Sequence, residues 1–200
     1  EELPFVLRPE RLTPPLEWGS LFGRIEPVEV EIGSGKGLFL AEGARQRPDA
    51  DFLGVERAGK WFRRAAWRLL RAGLPNVRIV QADAFDFLAR WVPAGAIRRV
   101  HVYFPDPWPK KRHARRRLLQ DELFRLAARA LSAGGELRLA SDVQGYFEET
   151  IRLLEAWPGF RREPWPEVEE GLPTNYAGKY RQEGRALHCA RFVWAGAPAA

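Results

Sequence analysis

Segments with β-strand character alternate with amphipathic helical segments along most of this chain. When a crossover helix joins two strands, the strands run parallel and helices cover both faces of the sheet. The alternation therefore predicts an α/β fold with a mostly parallel sheet. Five strands are expected at 28–32, 51–56, 77–83, 98–104 and 136–142, and two closing strands at 160–165 and 187–195.

The helices are predicted from apolar residues that recur at helical spacing. Residues 59–72 form the most regular such pattern, and Gly73 and Pro75 are expected to end that helix. A long helix is expected at 115–131, closed by Gly134 and Gly135. Further helices are expected at 37–48, 84–92 and 145–157.

The distribution of proline suggests the domain boundaries. Residues 1–27 contain five prolines and are expected to form an irregular N-terminal arm over the domain. The domain itself is predicted to span 28–196, followed by a tail at 197–200. Its size is that of one ordinary globular domain.

Composition excludes several classes of protein. Cys189 is the only cysteine, so an intrachain disulfide and a cysteine-built metal site are excluded, and no metal is expected. No run approaches the about 20 apolar residues that a membrane span needs, so we expect a cytoplasmic protein with no membrane partner. The net charge of +6 and a pI near 9.9 favour a polyanionic partner.

Glycines and an acidic residue mark the end of the first strand, in EIGSGKG. Gly33 and Gly35 would let backbone N–H groups approach a ligand at the start of a helix, with Glu31 beside them. The dinucleotide fingerprint needs its third glycine where this chain has Leu38. The spacing therefore disfavours a nicotinamide-dependent dehydrogenase, although a plain tight turn would use the same glycines.

Acidic residues also lie at the ends of the next three strands. Glu56 lies 21 residues after Gly35, where an acidic side chain accepts hydrogen bonds from ribose hydroxyls. Asp83 suits either an adenine amino group or the cap of the helix that begins at Ala84. With Asp106 after the fourth strand, these residues predict a nucleoside site of the S-adenosylmethionine kind, because ligands bind beyond the carboxyl ends of such strands.

Asp106 lies between two prolines in FPDPW and precedes a dense basic run. Pro105 and Pro107 fix the backbone around this carboxylate, and Trp108 offers a flat face for stacking. The run from Lys110 to Arg117 is either a solvated helix face or a phosphate-binding patch for nucleic acid. Next to a nucleoside site, the second interpretation is favoured.

The stretch FPDPWPKKRH closely resembles the FPDPW-x-K-x-R-H signature of bacterial tRNA (guanine-N7-)-methyltransferases of the TrmB type. The resemblance extends from VEVEIGSGKG through FLGVE and ASD to TNYAGKYRQEGRAL. It implies a class I S-adenosylmethionine-dependent methyltransferase fold, Rossmann-like, with a mostly parallel seven-stranded sheet and an antiparallel C-terminal hairpin. The implied reaction transfers a methyl group from S-adenosylmethionine to N7 of a guanosine in the variable loop of tRNA.

The resemblance also implies roles for individual residues. Asp106 matches the presumed catalytic residue, and Ala177 stands where the family pattern has a glutamate that contacts the substrate. Asp142 could instead cap a helix, and TNYAG could be a plain loop. The implied cofactor contacts are Glu31, Gly33, Gly35, Glu56, Asp83 and Asp106, and the implied tRNA contacts are Lys110, Asp142, Thr174, Asn175 and Tyr176.

Two alternatives remain open at this stage. One is another class I methyltransferase, acting on a different RNA position, a protein or a small molecule. The other is an RNA-binding module that kept the fold and lost catalysis, for which binding of S-adenosylmethionine is the discriminating observation. The family includes both monomers and homodimers, so the oligomeric state also stays open.

Overall fold

A computed structural model describes residues 3–108, 112, 117–166 and 173–196. One sheet of eight strands forms its centre, in the order β1-β4-β3-β2-β5-β6-β8-β7. The strands are β1 (Val6–Leu7), β2 (Val28–Ile32), β3 (Asp51–Val55), β4 (Val77–Val80), β5 (Ile97–Tyr103), β6 (Leu131–Ser141), β7 (Phe160–Glu163) and β8 (His188–Trp194). The helices are α1 (Trp18–Phe22), α2 (Leu38–Gln46), α3 (Gly59–Ala72), α4 (Ala84–Arg90), α5 (Asp121–Ala130), α6 (Gln144–Glu155) and α7 (Asn175–Gln182).

The strand directions confirm the predicted α/β class. Strands β1 to β6 pair in parallel, whereas β8 is antiparallel to both β6 and β7. The order of successive strands reverses between β2 and β5, which are neighbours at the centre of the sheet. A cleft for ligands opens at the carboxyl ends of the strands at such a reversal.

The N-terminal arm supplies an eighth strand that the sequence did not predict. Val6 and Leu7 pair with Ile79 and Val80 of β4, and the Ile79 N–H donates to the Phe5 carbonyl. The arm is therefore not wholly irregular, since it also contains helix α1. Two paired residues are too few to show an alternating pattern, so only the available edge of β4 reveals this strand.

The helix predicted at 115–131 is confirmed only over Asp121–Ala130. Helix α5 begins only at Asp121, and Arg117 lies outside any helix, while residues 113–116 lie outside the described part of the chain. Strand β6 begins directly at Leu131, and Gly134 and Gly135 lie within it. The β5–β6 register shifts between Ile97 and Arg99, so these glycines belong to a bulge instead of a helix end.

The hydrophobic core has two parts, one on each face of the sheet. Helices α4, α5 and α6 pack with Val28, Val30 and Ile32 of β2 on one face. Helices α2 and α3 pack with Phe52 and Ile79 on the other. No helix in the described ranges is long and apolar enough to cross a membrane.

Candidate active site

Two adjoining cavities lie at the carboxyl ends of β2 to β5. The first, which we call the outer cavity, has a volume of about 300 Å³ and is lined by Glu56, Asp83 and Asp106. The second, the Glu31 cavity, has a volume of about 240 Å³. They share walls, and the shared residues are Gly33, Gly35, Trp61, Tyr103 and Tyr176. The tertiary structure therefore brings the four strand-end acids into one connected space.

Glu56, which directly follows β3, stabilises the glycine loop, residues 33–37. Its Oε2 atom accepts a hydrogen bond of 2.9 Å from the Gly35 N–H, and its Oε1 atom accepts one of 2.7 Å from the Ala58 N–H. Gly33 and Gly35 have φ values of 74° and 54°, which residues with a Cβ rarely adopt. A carboxylate offers about four lone-pair sites, so Glu56 can also accept from a ligand hydroxyl at the cavity wall.

Asp83 caps helix α4. Its Oδ1 atom accepts a hydrogen bond of 2.9 Å from the Phe85 N–H. Its Oδ2 atom lies 3.8 Å from a guanidinium nitrogen of the exposed Arg57, at the edge of the outer cavity. Of the two roles left open by the sequence, the cap is confirmed, and the contact with an adenine amino group stays a prediction.

Glu31 is a buried carboxyl group that faces a cavity. The residue is 5% exposed, and its Oε2 atom has no hydrogen-bond partner among the described residues. Burial, and then the charge of Glu56, raise the pKa of Glu31 well above its ordinary value. A buried acceptor without a donor is costly, so this oxygen is suited to a ligand that brings a donor or a positive charge.

The FPDPW turn is held at both ends. The Phe104 N–H donates to the Ala140 carbonyl at 2.8 Å, and Arg117 Nε donates to the Pro107 carbonyl at 3.0 Å. Phe104 and Trp108 have positive φ values of 52° and 40°. Non-glycine residues adopt such angles only where the surrounding structure imposes them, and they cluster at functional sites. Between these fixed points the Asp106 side chain is exposed at the outer cavity.

Helix α7 covers the turn with aromatic rings. The Tyr180 ring lies 5.5 Å from that of Phe104, and Tyr176 stacks on Tyr180 with centroids 5.8 Å apart. Thr174 caps the helix by accepting a hydrogen bond from the Ala177 N–H, so TNYAG is a helix start and not a plain loop. Thr174, Asn175 and Tyr176 all line the Glu31 cavity.

Ala177 differs from the family pattern in a way that the packing explains. The residue is fully buried and belongs to the same apolar cluster as Phe39, Tyr103 and Ala140. A glutamate at this position would place a charge in an apolar cluster, which is costly unless the charge is paired. In this chain the position therefore contributes packing and has no polar group to offer a substrate.

One described residue that is implied to contact tRNA lies apart from the cavities. Asp142 lines neither of them, and its Oδ2 atom instead accepts a hydrogen bond of 2.8 Å from Arg185. It does not cap α6, because the N-cap position of that helix is held by Val143. Lys110 lies outside the described residues.

Sequence analysis missed a buried chain of hydrogen bonds behind the site, which we call the Glu29–His101–Tyr103 relay. His101 Nε2 lies 2.9 Å from Glu29 Oε2, and His101 Nδ1 lies 2.7 Å from the hydroxyl of Tyr103, which lines both cavities. Because an ionised Glu29 can only accept, a neutral His101 must donate from Nε2, which leaves Nδ1 to accept from Tyr103. The alternation of His101 and Tyr103 along β5 is the signal that would have revealed a shared face.

Comparisons with known proteins agree with this architecture. A sequence profile described as "Putative methyltransferase" matches residues 25–190. The solved structure of the 16S rRNA methyltransferase KamB superposes with a TM-score of 0.65 at 17% identity, covering 90% of this chain and 93% of that one. At this identity the likeness shows the fold, which is that of the class I methyltransferases.

Curated relatives are more similar in sequence. A tRNA (guanine-N(7)-)-methyltransferase of Thermus thermophilus is 42% identical over 90% of this chain, although the match covers only 58% of that relative's length. One from Geobacter metallireducens is 32% identical and is matched over 92% of this chain and 90% of its own length. The profile, the relatives and the FPDPW site together show that this chain belongs to the tRNA (guanine-N(7)-)-methyltransferase family.

Proposed function

We propose that this protein transfers a methyl group from S-adenosylmethionine to N7 of a guanosine in the variable loop of tRNA. The observation that carries the proposal is the position of Asp106. It stands in a rigid turn at the mouth of a cavity whose other walls include Glu56, Asp83 and the glycine loop. The names of the curated relatives support the same reaction.

The two cavities fit the parts of S-adenosylmethionine. The unpartnered Oε2 atom of Glu31 suits the ammonium of the methionine end, since a buried acceptor is best matched by a charged donor. Glu56 would accept from the ribose hydroxyls and Asp83 from the adenine amino group, with the shared glycine loop between them. When bound, S-adenosylmethionine supplies an electrophilic methyl group.

Methyl transfer to guanine requires that N7 is aligned with the methyl group and that the positive charge developing on the purine is stabilised. N7 of neutral guanine carries a lone pair and no proton, so no general base is needed for its attack. The Asp106 carboxylate can accept hydrogen bonds from guanine N1–H and the exocyclic amine, which aligns N7 with the methyl group. It also stabilises the positive charge that develops on the purine. Trp108, on the same cavity wall, offers a face for stacking.

A basic chain is consistent with a tRNA substrate. The net charge of +6 attracts a polyanion at long range and raises the rate of encounter. We infer that tRNA phosphates contact the basic run that follows FPDPW, in which Lys110 is the residue that the family pattern implicates. Thr174, Asn175 and Tyr176 line the Glu31 cavity and would contact the substrate from helix α7.

Methyl transfer from labelled S-adenosylmethionine to unmodified tRNA transcripts, followed by nucleoside analysis, tests the proposal. We expect 7-methylguanosine from the wild type and a loss of about 10²-fold or more in Asp106→Asn. Asp49→Asn is the matched control, since Asp49 is an exposed carboxylate just before the amino end of β3, away from both cavities. A different methylated nucleoside would overturn the choice of N7, and full activity of Asp106→Asn would overturn the role of Asp106.

A further inference from the structure

Helix α3 carries a basic stripe with an exposed tryptophan in its middle. Lys60, Arg64, Trp67 and Arg71 recur at i, i+4, i+7 and i+11, so they share one face of the helix. Trp67 is 68% exposed, although an indole of this size is normally at least partly buried. The buried residues of the helix, Ala65, Ala66 and Leu69, lie on the opposite face.

The positive charge of this stripe is not neutralised by any carboxylate in the part of the chain that the structure describes. Helix α3 contains five basic residues and no acidic one. Within the described ranges, no carboxylate forms an ion pair with Lys60, Arg64 or Arg71. Arg64, Trp67 and Arg71 line an open concavity of about 690 Å³ between α2 and α3. The nearby Glu42 is already paired with Arg45.

The stripe leads directly from the candidate active site. Trp61, on the first turn of α3, lines both cavities. Lys60 and Arg64 lie over its ring at 5.3 Å and 5.1 Å from the centroid. From Lys60 to Arg71 the helix rises about 16 Å. A long polyanion with one unit in the outer cavity can therefore continue along this face.

We propose that the α3 stripe is a second binding surface for the RNA substrate. Lys60, Arg64 and Arg71 would contact backbone phosphates, and an unpaired base would stack on Trp67. Arginines beside an exposed aromatic ring combine the two interactions that bind single-stranded segments of RNA. An acidic protein partner would be attracted by the charge but would give no comparable reason for the exposed indole. This inference rests on the proposed tRNA substrate.

The charge contribution is tested by the salt dependence of tRNA binding. We expect Arg64→Gln/Arg71→Gln to lower the slope of log affinity against log salt by about 1 for each phosphate that is no longer neutralised. Arg152→Gln is the control, because Arg152 is an exposed arginine of α6, whose buried residues pack on the other face of the sheet. An unchanged slope in the double variant would overturn the inference.

The stacking contribution is tested by Trp67→Ala and Trp67→Phe. Removal of one stacking platform predicts a Kd for tRNA about 5- to 150-fold higher in Trp67→Ala, with substantial recovery in Trp67→Phe. The Kd for S-adenosylmethionine should not change in either variant, which excludes a general loss of fold.

The outcomes for this inference and for the proposed function are distinguishable. If both Trp67 variants bind tRNA as the wild type does while Asp106→Asn is inactive, this inference fails and the proposed function stands. If the wild type binds no tRNA, both fail. A change in self-association without a change in tRNA affinity would assign the stripe to a second protein copy and overturn the RNA surface.

Discussion

The Oε2 atom of Glu29 lies 2.9 Å from Nε2 of His101, and both side chains are almost completely buried. The other oxygen of the same carboxylate is bound by Arg47 at 2.7 Å and Arg99 at 2.6 Å. Burial alone would raise the pKa of Glu29, but the His101 hydrogen bond and the arginine charges outweigh it and lower the pKa to about 2. A charged centre therefore lies directly behind Tyr103, in the middle of the sheet.

The first prediction concerns Glu29→Gln. The lowered pKa means that the stabilisation by Glu29 is fully present above the ordinary pKa of 4.5 and is lost as the pH falls toward about 2. A shift of this size corresponds to about 3 kcal/mol. Glu29→Gln should therefore lower the free energy of unfolding by about 3 to 5 kcal/mol at pH 7 and by less at pH 3, measured by urea unfolding.

The control for this prediction is Glu122→Gln, at an exposed residue, which should lower the free energy of unfolding by less than about 1 kcal/mol. A pH-independent loss in Glu29→Gln would contradict the assigned titration.

The second prediction concerns Tyr103→Phe. The relay fixes the Tyr103 hydroxyl as a donor to His101, so toward other groups its oxygen acts as an acceptor. S-adenosylmethionine carries positive charge. If the Tyr103 oxygen accepts a hydrogen bond from it, loss of that oxygen should raise the Kd for S-adenosylmethionine about 10- to 150-fold. Isothermal titration calorimetry measures this Kd directly. Unchanged affinity together with lowered stability would reduce Tyr103 to a structural role.

The third prediction concerns Glu31→Gln. A raised pKa in the folded state means that the stabilisation by Glu31 is present below pH 4.5 and is lost as the pH rises toward the raised pKa. The ligand-free Glu31→Gln variant should therefore be at least as stable as the wild type at pH 8, by thermal unfolding. It should also bind S-adenosylmethionine more weakly, because the charged acceptor is gone. A variant that is less stable at pH 8 than the wild type would contradict the raised pKa of this buried carboxyl group.

The fourth prediction concerns Gly37, where α2 approaches α3. A Cβ on Gly37 would lie 2.9 Å from the Ala65 Cβ, and φ there is 69°. Gly37→Ala should therefore cost more than the about 1 to 2 kcal/mol of the left-handed backbone alone. Gly23→Ala is the matched control, since φ is 74° and no atom lies within 4 Å of the added Cβ. Equal losses in urea unfolding would show that the contact with Ala65 relaxes without cost.

The fifth prediction separates two roles for Asp142. Its carboxylate binds Arg185, whose guanidinium lies over the Tyr180 ring at 4.7 Å. If Asp142 acts by positioning α7 and the FPDPW turn, Asp142→Asn and Arg185→Gln should give similar losses, and the double variant should lose no more than either. KM for tRNA and kcat in a double-mutant cycle decide the question. Additive losses would instead indicate that Asp142 contacts the substrate itself.

The sequence predicted most of the fold because hydrophobic periodicity and the glycines and prolines that end helices are local properties of the chain. Helix α3 was predicted at its observed bounds, since Gly73 and Pro75 follow an uninterrupted apolar stripe. Local signals failed where a distant group decides the conformation. Arg117 looked helical by composition, but its guanidinium bonds the Pro107 carbonyl from outside any helix. Strand β1 exists because β4 offers an edge.

For the candidate site, the sequence determined which acidic residues are present and that they lie at the ends of strands. Parallel strands share one carboxyl edge, so Glu31, Glu56, Asp83 and Asp106 had to meet there once the alternation was recognised. Only the tertiary structure decided how each carboxylate is used. Glu56 stabilises the glycine loop, Asp83 caps α4, and the Oε2 atom of the buried Glu31 has no donor among the described residues. Hydrogen-bond geometry and burial depend on residues far apart in the chain. The same reason explains the Glu29–His101–Tyr103 relay, which joins two neighbouring strands separated by about seventy residues.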